Sequence, residues 1–392
     1  MISVHRFLSL LLLVSALLRP AALSSESVTA GAFRTPPGEA LAISAPSGAL
    51  MEASTGELLY EKNSHERRPI ASVTKVMTLL LIAEDLDSGK ISLEDTVTAS
   101  RRAASFGGSC VYLEEGEQMS VSDMLKCIAV VSANDCAVAM AEHLSGTEEV
   151  FVERMNRRAE ELGLEDTHFT NCTGLFDDAE HYSSAYDIAV MSRELLGHAF
   201  IKDYTTIWMD SIRGGAFELA NTNKLVYWYP GCTGLKTGFT NAAMYCLSAS
   251  AERDGTEFIA VILHSDSIES RNADARSLLN YAFANYTLCP LRPAEGLPSL
   301  PVELGRSERV SLRVEGDEQA VVPKGSAEPE FRWTLPEKLA APVRAGEKVG
   351  TLRVMLGDET LAQLPVLAAE DVPRIGFWGV LVKLAGNLVG LS

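Results

Sequence analysis

Apolar and polar residues follow two different periods along this chain, and these periods predict where helices and strands lie. Residues 76–82 are almost all apolar, which predicts a helix that is buried on nearly every face. Further helices are predicted at 120–131, 136–144, 148–162 and 271–283. Strands are predicted at 48–51, 58–60, 242–251 and 258–263. The pattern therefore predicts mixed α and β structure, with a hairpin first, helices in the middle, and strands with one more helix at the end.

A proline-rich segment separates this region from a second one. Proline density rises between Cys289 and Pro301, where helical periodicity also stops, so this segment is predicted to be a linker. Beyond it, short alternating runs precede a hairpin in which 349–356 pairs with 360–367. We expect a small all-β domain that acts as a spacer or docking module, because it contains no set of residues suited to chemistry.

The first residues have the pattern of a secretory signal peptide. His5 and Arg6 precede an apolar run at 7–18, and small residues lead up to Ser24. A transmembrane anchor is the alternative, but the apolar run is short and an Arg-Pro pair interrupts it. We therefore expect cleavage after Ser24 and a secreted, extracytoplasmic protein.

The last residues predict a helix that associates with a membrane. The segment 375–391 is apolar on most sides and carries one narrow polar stripe with a single lysine. Such a helix is suited to lie on the outer face of the cytoplasmic membrane, with a short spanning helix or a packed helix as alternatives. The predicted divisions are a signal peptide at 1–24, a larger domain at 25–290, a β-rich domain at 291–370 and an amphipathic anchor helix at 371–392.

Composition narrows the classes of partner. The formal net charge of the 392 residues is -18 and the isoelectric point is about 4.9, which argues against nucleic acid and other polyanions as binding partners.

The seven cysteines are an odd number without a Cys-x-x-Cys pair, so most are expected to be free thiols in a reducing or anaerobic setting. Neither cysteines nor histidines have the spacing of a zinc site. No metal and no cofactor is predicted, and the oligomeric state is left open.

Ser72 and Lys75 are the first candidates for chemistry. They lie three residues apart at the start of the buried helix, so their side chains are expected one turn apart on the same side. An unprotonated Lys75 at that distance takes the proton of Ser72 and makes its oxygen a nucleophile. A neutral amine at pH 7 requires the pKa of Lys75 to fall by about 3 units, which burial and a second cation, Lys236, are suited to cause. A serine and a lysine at this spacing also occur by chance, so the pair alone is weak evidence for a catalytic site.

Two later polar groups add to this pair. Ser132 and Asn134 lie between two predicted helices, where Ser132 is suited to relay a proton and Asn134 to hold a substrate amide. The alternative is that one of them only caps the following helix. Lys236, Thr237 and Gly238 begin a predicted strand. There the lysine and threonine are suited to bind a carboxylate and the glycine admits a substrate backbone, unless the segment is a simple surface turn.

In this chain order, Ser-x-x-Lys, Ser-x-Asn and Lys-Thr-Gly are the three-part signature of the penicillin-interacting serine enzymes. Over about residues 40–290, and more loosely beyond, the chain resembles the D-alanyl-D-alanine carboxypeptidases of the low-molecular-mass penicillin-binding proteins, most closely the type found in spore-forming Gram-positive bacteria. The segments that carry the resemblance are 69–75, 107–109 with 111–113, 132–135, 167–171 with 174–175, 181–187, and 229–231 with 234–238. Departures at Ala133, at Cys172 with Thr173, and at Phe239 affect the expected substrate preference.

The resemblance implies an α+β fold of the penicillin-binding and β-lactamase-like transpeptidase type, an antiparallel sheet flanked by helices. It implies a serine-type carboxypeptidase that removes the terminal D-Ala of peptidoglycan stem pentapeptides through an acyl-enzyme, with β-lactams as covalent inhibitors. The implied catalytic residues are Ser72, Lys75, Ser132 and Asn134, and the implied substrate-binding residues are Lys236, Thr237 and Gly238.

Three other functions are compatible with some or all of these catalytic and binding residues. A D,D-endopeptidase that cuts cross-links shares all of it. A class A β-lactamase also needs a glutamate to activate the deacylating water, and no convincing Glu-x-x-x-Asn segment follows Ser132. A non-catalytic β-lactam sensor or wall-binding protein is expected to carry a signalling transmembrane region, which the sequence does not suggest.

Overall fold

The computed structural model describes residues 41–381. The predicted signal peptide, and residues 382–392 of the predicted anchor, lie outside the described residues. The described chain forms two units, a larger one of 41–296 with 316–329 and a smaller one of 297–315 with 330–381.

The helices and strands are as follows. The α-helices are α1 (Lys75–Asp87), α2 (Arg101–Ala104), α3 (Val121–Val131), α4 (Asn134–Ser145), α5 (Glu148–Glu161), α6 (Ala185–Gly197), α7 (Lys202–Thr205), α8 (Leu225–Trp228) and α9 (Ile268–Asn285). Short 3-10 turns are Ala71–Thr74, Ala199–Ile201 and Arg213–Gly215. The strands are β1 (Ser47–Glu52), β2 (Leu58–Lys62), β3 (Thr96–Thr98), β4 (Gln118–Ser120), β5 (Met209–Ile212), β6 (Phe217–Ala220), β7 (Cys232–Thr240), β8 (Met244–Arg253), β9 (Thr256–Ser265), β10 (Tyr286–Pro290), β11 (Ser299–Glu303), β12 (Arg309–Val314), β13 (Gln319–Pro323), β14 (Pro329–Thr334), β15 (Leu339–Ala340), β16 (Lys348–Leu356) and β17 (Glu359–Ala368).

The larger unit is built on a five-stranded antiparallel sheet in the order β2-β1-β9-β8-β7. Successive side chains of β9 point to opposite faces, so Ile259 and Val261 pack in one core while Phe258 and Ala260 pack in the other. Helices α1, α3, α4, α5 and α6 contribute to the first core, and α9 contributes to the second. This arrangement confirms the predicted α+β fold with helices on both faces of an antiparallel sheet.

Ser72 lies in a 3-10 turn that runs directly into α1. Every residue of α1 from Lys75 to Ala83 is buried, as the apolar run of the sequence predicts. The helix packs against α6, α4 and α3 and also contacts β7. Polar groups at its start are therefore enclosed by protein and lie beside the strand that carries Lys236.

The smaller unit contains a six-stranded sheet in the order β14-β16-β17-β12-β11-β15. The predicted hairpin is formed by β16 and β17, which pair antiparallel. The stretch 316–329, which the sequence placed in the β-rich domain at 291–370, groups with the larger unit because β13 pairs with β10. A side-by-side strand pairing of this kind leaves no local signal in the sequence.

The C-terminal segment is described only in part. Residues 377–381 are helical, and the side chains of Phe377 and Trp378 are exposed. Across residues 41–381, none of the helices combines the length and apolar character needed to cross a membrane. Anchoring through residues 371–392 stays a prediction.

Candidate active site

The start of α1 brings a hydroxyl and an amine into contact. The Nζ atom of Lys75 lies 3.1 Å from Ser72 Oγ, 2.6 Å from Asn134 Oδ1 and 2.8 Å from the carbonyl oxygen of Thr173. A neutral amine has two N–H donors and one lone pair. The amide oxygen and the carbonyl accept the two N–H bonds, which leaves the lone pair directed at the Ser72 hydroxyl. This is the arrangement that a general base requires.

Burial prepares Lys75 for that role. Its side chain is fully buried, and this burial lowers the pKa of the amine to about 7, against an opposing effect of Cys172, Cys110 and Asp135. The pKa of Lys236 is also lowered, first by burial and then by the positive charges of Lys75 and Arg271. The sequence predicts that Lys236 causes part of the Lys75 shift, whereas in the structure burial lowers the pKa of Lys75, and it is the charge of Lys75 that helps to lower the pKa of Lys236.

Ser132 contributes a buried hydroxyl to the cleft. It ends α3 in a left-handed conformation with φ of 64°. Its Oγ is buried and makes no hydrogen bond to any residue that the structure describes. α4 begins at Asn134 with Ala133 as its N-cap and without a side-chain capping bond, so the capping interpretation is wrong for both Ser132 and Asn134. Its hydroxyl is therefore available to hydrogen-bond a molecule bound in the cleft, and its predicted role as a proton relay stays a prediction.

Asn134 is engaged within the protein. Its Oδ1 accepts the hydrogen bond from Lys75, and its Nδ2 donates to the carbonyl oxygen of Gly107 at 2.8 Å. The neighbouring Asp135 carboxylate accepts hydrogen bonds from the backbone N–H groups of Val111 and Leu113. Both side chains therefore fasten the 107–113 loop beside Ser72. The predicted contact of Asn134 with a substrate amide stays a prediction.

A buried histidine supports the segment that carries Thr173. His181 Nδ1 accepts from the backbone N–H of Thr170 at 3.1 Å, so Nε2 carries the proton and donates to Thr74 Oγ1 at 2.7 Å. Burial lowers the pKa of His181 to about 4, which keeps the ring neutral. The Oδ1 of Asn171 accepts from the backbone N–H of Thr173 at 3.1 Å. These bonds hold the Thr173 carbonyl where Lys75 reaches it, a function that sequence reasoning did not assign.

A cleft of about 280 Å³ opens over these groups. Four predicted residues line it: Ser72, Ser132, Thr237 and Gly238. Two more lining residues appear in the sequence analysis without an assigned role: Ser109, in a segment that carries the resemblance, and Phe239, a departure from it. Sequence reasoning missed the remaining five, which are Thr222, Lys224, Tyr245, Ile268 and Arg271. No group of His, Cys, Asp or Glu between residues 41 and 381 is placed to hold a metal ion.

The β7 side of the cleft supplies positive charge. Lys236 lies behind the wall, with Nζ donating to the carbonyl oxygen of Thr237 at 2.9 Å. Thr237 Oγ1 faces the cleft and donates to Thr222 Oγ1 at 2.8 Å. Arg271 lines the same cleft from α9, and burial lowers its pKa only to about 10, so it remains a cation at neutral pH. Thr237 and Arg271, with Lys236 behind them, are residue types suited to bind a carboxylate, as the sequence predicts for Lys236 and Thr237.

Gly238 allows β7 to pack directly on the Ser72 turn. A Cβ atom there would lie 2.7 Å from the carbonyl oxygen of Ile70 and 3.1 Å from the backbone nitrogen of Ser72, which are positions that only backbone movement can relieve. We expect Gly238→Ala to displace Ser72 and lower the acylation rate by about tenfold or more, because overpacking of this kind typically costs about 1–3 kcal/mol. Fluorescent penicillin labelling measures this rate.

The matched control for this prediction is Gly197→Ala. A Cβ at Gly197 meets no atom within 4 Å, so normal labelling is expected. Labelling of the Gly238→Ala variant at the wild-type rate would contradict the close packing of β7 on the Ser72 turn.

Two protein-family models together match most of the chain. Residues 33–267 match the family model described as D-alanyl-D-alanine carboxypeptidase, and residues 297–374 match the one described as penicillin-binding protein 5, C-terminal domain. A curated relative, the D-alanyl-D-alanine carboxypeptidase DacF of Bacillus subtilis, is 42% identical over 353 residues, which are 88% of this chain and 90% of the relative.

Solved structures show the same similarity. Penicillin binding protein 5 from Haemophilus influenzae is 30% identical with a TM-score of 0.74, over 87% of this chain and 99% of the other. Penicillin-Binding Protein D2 from Listeria monocytogenes, solved in an ampicillin-bound form, is 32% identical with a TM-score of 0.57, over 62% of this chain and 99% of the other.

Proposed function

The chain belongs to the D-alanyl-D-alanine carboxypeptidase family of serine peptidases, and we propose that it removes the terminal D-Ala of peptidoglycan stem pentapeptides through an acyl-enzyme on Ser72. The observation that carries this proposal is the buried amine of Lys75, whose Nζ lies 3.1 Å from Ser72 Oγ. Its pKa of about 7 leaves a large fraction of the amine unprotonated at neutral pH.

Acylation begins when Lys75 takes the proton of Ser72. The Ser72 oxygen attacks the carbonyl carbon between the last two D-Ala residues, and the oxyanion lies between the backbone N–H groups of Ser72 and Phe239. Breaking the C–N bond requires a proton on the departing amine. Ser132 donates its own proton and recovers one from Lys75. Water then hydrolyses the ester, which releases the shortened peptide as a carboxylic acid and restores Ser72.

Recognition of the peptide terminus rests on its carboxylate. The Thr237 hydroxyl and the Arg271 guanidinium bind the two carboxylate oxygens. The arriving negative charge opposes the effects that lower the pKa of Lys236, so the proton of Lys236 is held more tightly once substrate is bound. A substrate without a free carboxylate loses both contributions, which explains why the enzyme acts at a chain end.

A β-lactam is expected to acylate Ser72 and to remain attached. Its strained amide and carboxylate present the same groups as the peptide, and a relative of this chain has been solved with ampicillin bound. Among the described residues that line the cleft, no carboxylate side chain is present to activate water as the glutamate of a class A β-lactamase does. This absence favours a carboxypeptidase over a β-lactamase. Because peptidoglycan lies outside the cytoplasmic membrane, the proposed substrate implies an extracytoplasmic enzyme, which is also what the sequence pattern of a signal peptide predicts.

The proposal is tested with purified protein and a stem pentapeptide ending in D-Ala-D-Ala. We expect release of free D-Ala, no release from the matching tetrapeptide, and near-stoichiometric labelling by fluorescent penicillin. Nitrocefin turnover should stay slow. Rapid nitrocefin turnover without D-Ala release would identify a β-lactamase instead, and labelling without any release would identify a β-lactam sensor.

A further inference from the structure

The loop that supplies one wall of the cleft also lines a second cavity. Ser109 faces the cleft, whereas Tyr112 and the turn at 114–117 face a cavity of about 600 Å³, to which Arg213 adds its side chain from the end of β5. We call this space the Tyr112 cavity. Because Tyr112 follows Ser109 by only three residues, at most about 11 Å of chain separates the two sites. A substrate in the cleft needs only this extra length to enter the Tyr112 cavity.

The wall of the Tyr112 cavity is held in place by Arg213. Its guanidinium donates from Nε and Nη2 to the Glu117 carboxylate, at 2.7 and 3.0 Å, and from Nη1 to the carbonyl oxygen of Val111 at 2.8 Å. The backbone on either side of Tyr112 is also held, because its N–H groups donate to the buried Asp135 carboxylate. The cavity is therefore formed before any ligand binds, as is usual for ligand sites.

The Tyr112 ring projects into solvent from a strained backbone. Tyr112 is 73% exposed, although Val111 and Leu113 on either side of it are buried. Its ring meets that of Phe217 edge to face, with centroids 6.4 Å apart, so most of the ring stays open. The residue has a φ of 58°, a left-handed conformation that is unfavourable for a bulky side chain. An exposed ring kept in a strained conformation on the wall of a formed cavity is typical of a ligand site.

Glu114 adds a hydrogen-bond acceptor to the same cavity. Its carboxylate makes no ion pair and no hydrogen bond with the residues that the structure describes, whereas Glu115 and Glu117 pair with Arg101 and Arg213. The cavity therefore offers an aromatic face and one carboxylate without a protein partner. These groups suit a ligand that has an apolar face and hydroxyl or amide N–H donors, and they repel an anionic one.

The sugar end of the proposed substrate has this chemistry. The first residue of a stem peptide is joined through an amide bond to an N-acetylated amino sugar, which is rich in hydroxyl groups. An extended pentapeptide spans up to about 18 Å, which exceeds the roughly 11 Å of chain between Ser109 and Tyr112. With its terminal carboxylate at Thr237 and Arg271, the peptide is therefore long enough to place the sugar at Tyr112. The carboxylates of the peptide itself are disfavoured beside Glu114.

We propose that the Tyr112 cavity binds the glycan part of peptidoglycan. The Tyr112 ring packs on the apolar face of an N-acetylated amino sugar, and the Glu114 carboxylate accepts hydrogen bonds from its hydroxyl or amide N–H groups. The inference rests on the proposed function, because the sugar arrives joined to the stem peptide that Ser72 attacks. It follows that the enzyme favours pentapeptides still attached to glycan over free pentapeptides.

The test compares a free pentapeptide with the same pentapeptide attached to the disaccharide of the glycan, using the full-length enzyme. We expect kcat/KM for D-Ala release to be about tenfold higher with the disaccharide pentapeptide. Tyr112→Ala and Glu114→Gln should each remove most of this preference, whereas Tyr112→Phe should keep it because the ring remains. The matched control is Tyr227→Ala, which removes an exposed tyrosine that lines neither the cleft nor the Tyr112 cavity and should leave the preference unchanged.

A binding measurement tests the same site without catalysis. Peptide-free oligosaccharides of the glycan disaccharide are titrated into the full-length protein, and saturation-transfer NMR measures their affinity. We expect Tyr112→Ala to weaken this affinity by about tenfold, since the stacking surface is lost, and Tyr227→Ala to leave it unchanged.

The outcomes separate this inference from the proposed function. Equal kcat/KM for the two pentapeptides, or a preference that both Tyr112→Ala and Glu114→Gln leave intact, overturns the glycan site alone. Oligosaccharide binding that depends on Tyr112, without D-Ala release from either substrate, overturns the proposed function and supports the glycan site. A third substrate is the free pentapeptide with its side-chain amine acetylated. A loss of activity on acetylation that disappears in Glu114→Gln assigns the cavity to an ammonium group and overturns the sugar assignment.

Discussion

Replacement of Ser72 by alanine is expected to abolish both labelling by fluorescent penicillin and release of D-Ala from a pentapeptide. The reason is that Lys75 Nζ lies 3.1 Å from Ser72 Oγ, and within residues 41–381 it makes no hydrogen bond to another side-chain hydroxyl. Loss of a nucleophile in a serine peptidase typically lowers kcat by about 10⁴-fold or more. Labelling on a gel and D-Ala release in solution measure the two steps separately.

The fold should survive this change. Ser72 belongs to the 3-10 turn Ala71–Thr74, whose structure depends on backbone bonds and on the buried side chains of its neighbours. Ser88→Ala, at the other end of α1, is a matched control that removes an equally small hydroxyl and should retain full labelling. Labelling that persisted in the Ser72→Ala variant would contradict Ser72 as the nucleophile and would indicate Ser132, whose buried hydroxyl lines the cleft and has no partner among the described residues.

Much of this site follows from local sequence pattern. The apolar residues on every side of α1 predict that Lys75 is buried, because a helix without a polar face has no side to turn to solvent. Its proximity to Ser72 follows from helical geometry alone. The wall formed by Thr237 and Gly238 was predicted from residue types suited to a carboxylate and a close backbone approach.

Other parts of the site leave no such signal. The carbonyl oxygen that accepts from Lys75 belongs to Thr173, and a backbone carbonyl carries no mark of residue type. Arg271 comes from α9, where an arginine on an amphipathic helix is ordinarily a surface residue. Asn134 has both a donor and an acceptor, so whether it binds substrate, a helix end or Lys75 depends on which groups the fold brings within reach.

The same limit applies to the fold. Alternating patterns predict where β1 and β9 lie, but not that Ala49 pairs with Val261 in the centre of one sheet. Side-chain period is a property of each strand by itself, whereas strand order depends on contacts between distant segments. For this reason the pairing of β10 with β13 cannot be predicted from either strand, whereas the proline-rich segment predicts a boundary at 290.

Activity is expected to fall at low pH because Lys75 becomes protonated, which gives the acid limb of the pH profile. Its pKa is lowered from 10.5 to about 7, so the base form is lost as the pH falls through 7. We therefore expect kcat/KM for a pentapeptide to drop about tenfold per unit below pH 7 and to level off above about pH 8. A guanidinium stays protonated throughout, so Lys75→Arg should lose about 10²–10⁴-fold in activity at pH 8. An unchanged acid limb in that variant would contradict the assignment of the base.

The pH dependence of the free energy of unfolding also reports the protonation of Lys75, and it can be measured in variants without activity. The folded pKa of Lys75 lies below its unfolded value, so the unfolded chain binds more protons between about pH 7 and 10.5, and the cost of burying the amine falls as the pH rises. Relative to Lys75→Met, the wild-type free energy of unfolding should therefore rise by about 1.4 kcal/mol per pH unit in this window. Urea titrations of both proteins at pH 7, 8 and 9 measure the slope. A difference that does not vary with pH would mean that Lys75 is protonated in the folded enzyme, and a protonated amine cannot deprotonate Ser72.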